Sequence, residues 1–134
     1  MRAFLLAAAL ALQPLLAFAD CLPFSASAHV SGQLVRETLP GPPNFESVEH
    51  GDSAEAYFVL RLHQPICVDG DPELGRHAED VDEIQLVFEN AGEFAAYRPL
   101  LGKAVVVDGI WMSAITAHHR TPRLLTHVVI SRAN

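Results

Sequence analysis

The chain has 134 residues, half of them apolar, and carries 16 Asp and Glu against 9 Lys and Arg, a net charge of −7. A surface of that sign repels phosphate backbones and anionic bilayers, so nucleic acid is not the expected partner.

Residues 1–19 read as a cleavable signal peptide. Met1-Arg2 is a minimal positive start, Ala3 to Leu12 is an unbroken apolar run, and Ala17-Phe18-Ala19 is an A-x-A cleavage site before Asp20. A transmembrane anchor would need about 20 clean apolar residues, and Pro14 interrupts this run. Asp20 ahead of Cys21 does not suit lipid attachment. Cleavage removes Arg2 and takes the net charge from −7 to −8. It leaves no membrane anchor. The expected location is the periplasm or the exterior of a bacterial cell.

The exported part, 20–134, is roughly 115 residues, the size of one domain. Its two cysteines, Cys21 and Cys67, lie in an oxidising compartment and lack C-x-x-C spacing, so they are expected to form a disulfide.

In chain order, His29 to Leu39 alternates, with Val30, Gly32 and Leu34 on one face. A stiff proline loop, Pro40-Gly41-Pro42-Pro43-Asn44, follows. Ala56 to His63 is a second strand with Phe58, Leu60 and Leu62 aligned, and Pro65 to Val68 closes it. Asp69 to Asp82 is an acidic loop, and Glu83 to Phe88 a third strand with Ile84, Leu86 and Phe88 inward. Asn90 then reads as an N-cap with Glu93 three residues on. Phe94, Tyr97 and Leu101 share one helical face, Pro99 cuts the last turn, and Gly102 suits the C′ position. Lys103 to Met112 is a fourth strand with Val105, Val107, Gly109 and Trp111 inward. After a loop from Ser113 to Pro122 comes a fifth, Leu124 to Ser131, with Leu124, Thr126, Val128 and Ile130 inward.

The order β-β-β-α-β-β predicts an all-β domain with one helix, a small five-stranded OB-fold-like barrel. Gly32 and Gly109 suit its sharp bends. Another small β-barrel or an α+β sandwich is the competing architecture.

The densest polar cluster is Thr116, His118, His119, Arg120 and Thr121, in the loop between strands four and five. That loop helps form the binding surface of OB-folds. Neutral His118 and His119 imidazoles suit Zn²⁺ or Cu²⁺, with His127, His29 or a carboxylate as a third ligand. Adjacent residues in an extended segment point to opposite faces, so the plainer expectation is that these side chains bond the loop backbone and brace a turn before Pro122. Asp69-Gly70-Asp71-Pro72-Glu73 begins like a calcium loop, but Leu74 stands where glycine is required and no Glu closes it. The 37–47 segment, proline-rich with Phe45, reads as a rigid connection or a partner-binding edge. For catalysis there is no G-x-S-x-G and no glycine-rich phosphate loop, which leaves only a hydrolase with a histidine base.

Gly41-Pro42-Pro43-Asn44-Phe45-Glu46-Ser47, Gly51-Asp52, Pro65-Ile66-Cys67-Val68, Tyr97 to Lys103 and Thr116 to Pro122 together resemble a family of small bacterial exported proteins known as a domain of unknown function. The hallmark of that family is Thr-Gly-His-His-His-Thr-Pro after a V-x-V-x-G strand. Here Ala117 replaces the glycine and Arg120 the third histidine. If the trio binds metal in the family, this chain lacks one ligand. The leading functional expectation is a non-catalytic binding or accessory domain without a cofactor, engaging a protein or small ligand of the cell envelope.

Overall fold

The computed structural model describes residues 20–134. The expected signal peptide, 1–19, lies outside the described residues. Five strands form one sheet: β1 Ser27–Pro40, β2 Ala54–Val68, β3 Glu79–Leu86, β4 Ala104–Ser113 and β5 Arg123–Arg132. They close into a barrel in the order β1-β2-β3-β5-β4, with β4 returning to β1. Every pairing is antiparallel except β3 with β5, a short parallel contact at Gln85↔Leu124 and Leu86↔Leu125. This is the expected OB-like architecture.

Strand alternation builds the interior. Ala28, Val30 and Leu34 from β1 meet Phe58 and Leu60 from β2, Ile84 and Leu86 from β3, and Val105, Val107 and Trp111 from β4. The wall is tight at Gly32, where a Cβ would stand 2.4 Å from the Arg61 carbonyl oxygen. Burying a Leu- or Phe-sized side chain in such a core is worth about 1.5–3 kcal/mol.

The helix α1, Ala91–Tyr97, plugs one end of the barrel, and a 3₁₀ turn at Arg98–Leu100 follows where Pro99 ends α-helical bonding. Asn90 caps it, its side chain accepting from the Glu93 N–H at 3.2 Å. Glu93 reaches back one residue further than in a capping box, to the Glu89 N–H at 2.7 Å. The helix seats on aromatic rings: Phe94 lies 4.5 Å from Phe88 and 5.3 Å from Phe58. Gly102 takes a φ of 76° and donates to the Leu34 carbonyl, handing the chain to β4.

Three expectations need correction. First, β2 runs without interruption through Gln64 and Pro65, absorbing the proline at a register shift between Arg61 and Ile66. Second, β3 begins at Glu79 and ends at Leu86, so the acidic loop is only 69–78 and Phe88 lies beyond the strand. Val81 anchors the added residues in the core. Third, Leu125, not Thr126, faces the core. Between Asp108 and Ile110 the register shifts, and β5 gains one residue opposite Gly109, with His127 at a φ of 52°. A bulge of this kind switches side-chain parity, so Leu125 and Val128 both turn inward.

The N-terminal segment is tied to the barrel. Cys21 and Cys67 form the expected disulfide, and Leu22 bridges in parallel to Val68. No described helix is long and apolar enough to cross a membrane.

Candidate functional site

The site grows from two loops that meet over the outer face of β2. The first is 41–53. Asp52 organises it: its carboxylate accepts from the Asn44 N–H at 2.9 Å, the Asn44 amide at 3.1 Å, the Glu46 N–H at 2.8 Å and the Ser47 N–H at 2.9 Å. The backbone donors of Ser47, Glu46 and Asn44 hold its pKa below the usual carboxylate value. This wrapping fixes Phe45 at a φ of 59°, with its ring turned to the second loop.

The second loop is 114–122, held chiefly by Gln85 of β3. Gln85 donates its amide to the His118 carbonyl at 3.0 Å and accepts from the Arg120 N–H at 2.6 Å. Thr121 Oγ1 accepts from the Gln85 N–H at 2.9 Å and donates to the Arg123 carbonyl at 2.6 Å. The Thr116 carbonyl accepts from the His119 N–H. Under this loop, Gln85 and Leu124 are buried although they lie outside the barrel core.

The two histidines diverge. His119 Nδ1 accepts from the Ile115 N–H at 2.9 Å, which braces the turn. Burial, then the charge of His118, pushes its pKa down, which favours the neutral ring this bond requires. His118 instead places Nδ1 2.9 Å from Glu55 Oε2, and its ring meets Phe45 edge-on at 5.0 Å. Tyr57 donates to the same Glu55 oxygen. That hydrogen bond, with the contributions of His118 and Arg120, lowers the Glu55 pKa. Burial, then the adjacent Glu55, raises that of Tyr57. An ionised carboxylate only accepts, so His118 donates to it from Nδ1. The His118 side chain is 53 % exposed.

Arg120 locks the loops together. It donates to the Pro40 carbonyl, and its guanidinium lies 5.2 Å from the Phe45 ring centre and 5.1 Å from that of Tyr57. It serves as a strut between the two loops. Of the five expected residues, Thr116, His119, Arg120 and Thr121 thus hold the loop, and His118 is displayed. Glu55, Tyr57, Phe45 and Gln85 complete the constellation. Beside it a cleft of about 190 Å³ runs between His118, His119, Tyr57 and Phe94.

Residues 83–129 match the family described as a domain of unknown function, DUF4431. The resemblance to an uncharacterised family is shown over that stretch, from the end of β3 to β5. The DUF4431 match takes in the helix and the whole 114–122 loop. No curated protein and no solved structure matches the chain.

As to metal, His29 pairs with Asp108 at 2.6 Å and His127 with Glu89 at 3.2 Å, each away from the 114–122 loop in sequence. Among the described residues no group of three His, Cys, Asp or Glu side chains is placed to hold an ion. The acidic loop is built rather than merely solvated: Asp71 Oδ1 accepts from the Glu73 and Leu74 N–H groups.

Proposed function

We propose that this is an exported, non-catalytic binding or accessory domain, acting in the periplasm or outside the cell. It engages an envelope partner through the surface where loops 41–53 and 114–122 meet. The supporting observation is His118. Its ring is held by Glu55 and Phe45, yet half of it faces solvent with Nε2 unengaged by any described residue. A residue fixed by two neighbours and still displayed is built for contact more than for packing. The disulfide and the A-x-A leader support the location.

The test is capture from an extract of the cell envelope, comparing wild type with the His118→Ala/His119→Ala double variant, each checked for a native melting profile. A partner retained by wild type and lost by the folded variant supports the reading. Equal recovery of every partner overturns it.

One observation favours a second reading. A carboxylate on His118 Nδ1 is how a histidine base is oriented, so a water-activating hydrolase is the alternative. It requires an ester- or amide-cleaving activity that rises with pH and disappears in His118→Ala.

A further inference from the structure

A second cleft, lined by other residues, lies at the C-terminal end of β4. It holds about 460 Å³, within the range of small-molecule sites. Three separate segments converge on it: Phe24 and Ser25 from the tethered N-terminus, Asp71 to Leu74 from the acidic loop, and Ile110 to Ser113 with Ile115. Six large hydrophobic side chains are exposed among the described residues, and three of them line this one cleft: Leu74 at 49 %, Ile110 at 51 % and Ile115 at 64 %. Scattered exposure needs no explanation, but clustering around a concavity does.

Its walls are fixed. Arg76 donates to the Ala114 carbonyl at 2.7 Å, tying the acidic loop to the segment that bears Ile115. Asp71 caps the turn that presents Leu74. Trp111 forms part of the lining and is itself 5 % exposed.

Among the described residues, the ionisable side chains in the lining are Asp71 and Glu73, both acidic, and the Arg123 guanidinium beneath Phe24 is paired with Glu79. Asp71 is buried and engaged with backbone N–H groups, whereas Glu73 is exposed. The nearby Arg76 guanidinium turns to the Ala114 carbonyl. Apolar walls with a carboxylate at the rim complement a ligand with an apolar body and a positive head.

We propose that this cleft binds a small amphipathic cation, an amine or quaternary ammonium with an apolar tail. The tail packs on Ile110, Leu74 and Ile115 beside the edge of Trp111, and the head faces Glu73. This site does not depend on the His118 surface.

Trp111 is the chain's single tryptophan, packed in the core and bordering the cleft, so its fluorescence responds to occupancy there. The probes are decyltrimethylammonium and decyl sulfate, each titrated below its micelle concentration. The ammonium is expected to give a saturable one-to-one emission change and to bind about fivefold or more tighter than the sulfate, the scale of one partly screened charge pair. Glu73→Lys should reverse that order. Leu74→Ser and Ile115→Ser alter exposed positions, so both variants should fold and both should weaken binding of either probe. The proposal fails if neither probe gives a saturable change. It fails equally if the two bind with the same affinity, or if the folded Leu74→Ser and Ile115→Ser proteins bind as wild type does.

Discussion

Arg123→Met is the most informative single change in the molecule. Arg123 is wholly buried. Its Nη1 lies 2.6 Å from Glu79 Oε1, and its Nη2 donates to the His77 carbonyl at 3.0 Å and, more weakly, to the Asp69 carbonyl at 3.4 Å. The guanidinium stands 5.4 Å from the Phe24 ring centre. One side chain thus joins β5, β3, the acidic loop and the N-terminal segment. Methionine keeps the apolar stem and deletes every polar contact. Orphaning one well-bonded carbonyl costs about 1–3 kcal/mol, the weaker contact adds less, and loss of the ring contact adds ~0.5–1 kcal/mol. The Glu79 pair is discounted, because that carboxylate is more than a third exposed. Relief comes from removing Arg123 Nε, which is buried without a partner. The expected net loss is about 3 kcal/mol, or about 12 °C in Tm for a domain of this size. Denaturant unfolding measures the first and calorimetry the second. Hydrogen exchange should show the Arg76 amide, bonded to the Asp71 carbonyl, losing protection before the barrel does. A loss under about 1 kcal/mol, or a gain such as follows when some buried ion pairs are replaced by apolar residues, would refute the reasoning.

Removing the disulfide as Cys21→Ser/Cys67→Ser, across a separation of 46 residues, should cost about 4 kcal/mol and lower Tm by about 15 °C under calorimetry. His119 is held below its ordinary value of 6.5, so folding disfavours its proton; stability should fall as pH drops below about 6.5, and His119→Gln should flatten that limb of a Tm-against-pH curve. A second loss belongs to the lowered carboxylates Asp52, Glu55 and Asp71, whose contribution disappears as pH falls through their folded values, below the ordinary 3.8 to 4.5. His118→Ala should change unfolding free energy by under about 1 kcal/mol, because an exposed ion pair contributes little, so any loss of partner binding is separable from loss of fold. With each histidine's Nδ1 engaged by its own neighbour, added Zn²⁺ or Cu²⁺ should leave Tm unchanged; a rise near 2.7 kcal/mol at hundredfold excess over Kd would restore the metal reading.

The barrel was legible because its determinants are local. Alternation from Val30 to Leu34 and from Val105 to Trp111, the Asn90 cap and the Pro99 stop each act within a few residues. The parity of β5 was not, because its bulge answers a mismatch across β4 at Gly109 that no run of β5 residues displays. Loop 114–122 stood out as a polar cluster, but the partners that give it meaning are distant. Glu55 precedes His118 by 63 residues, and Gln85 precedes Arg120 by 35. Tyr57, Val59 and Gln85 are buried on what alternation marks as a solvent face, since the loops that cover them lie elsewhere in the chain. Arg123 reads as the polar end of a loop until the barrel closes around it.

The strand β4 also gives the molecule two unlike ends. Ser113 and Ile110 border the apolar cleft at one, while the Ala133 N–H bonds to the Ala104 carbonyl at the other. Ten residues of strand set these ends about 30 Å apart. Phe24 sits with the cleft, which it lines. A surface linkage made close to Phe24 would therefore crowd the cleft, whereas one made beside Ala133 leaves it open to solution. Immobilised assays of this protein should be anchored by the C-terminal side.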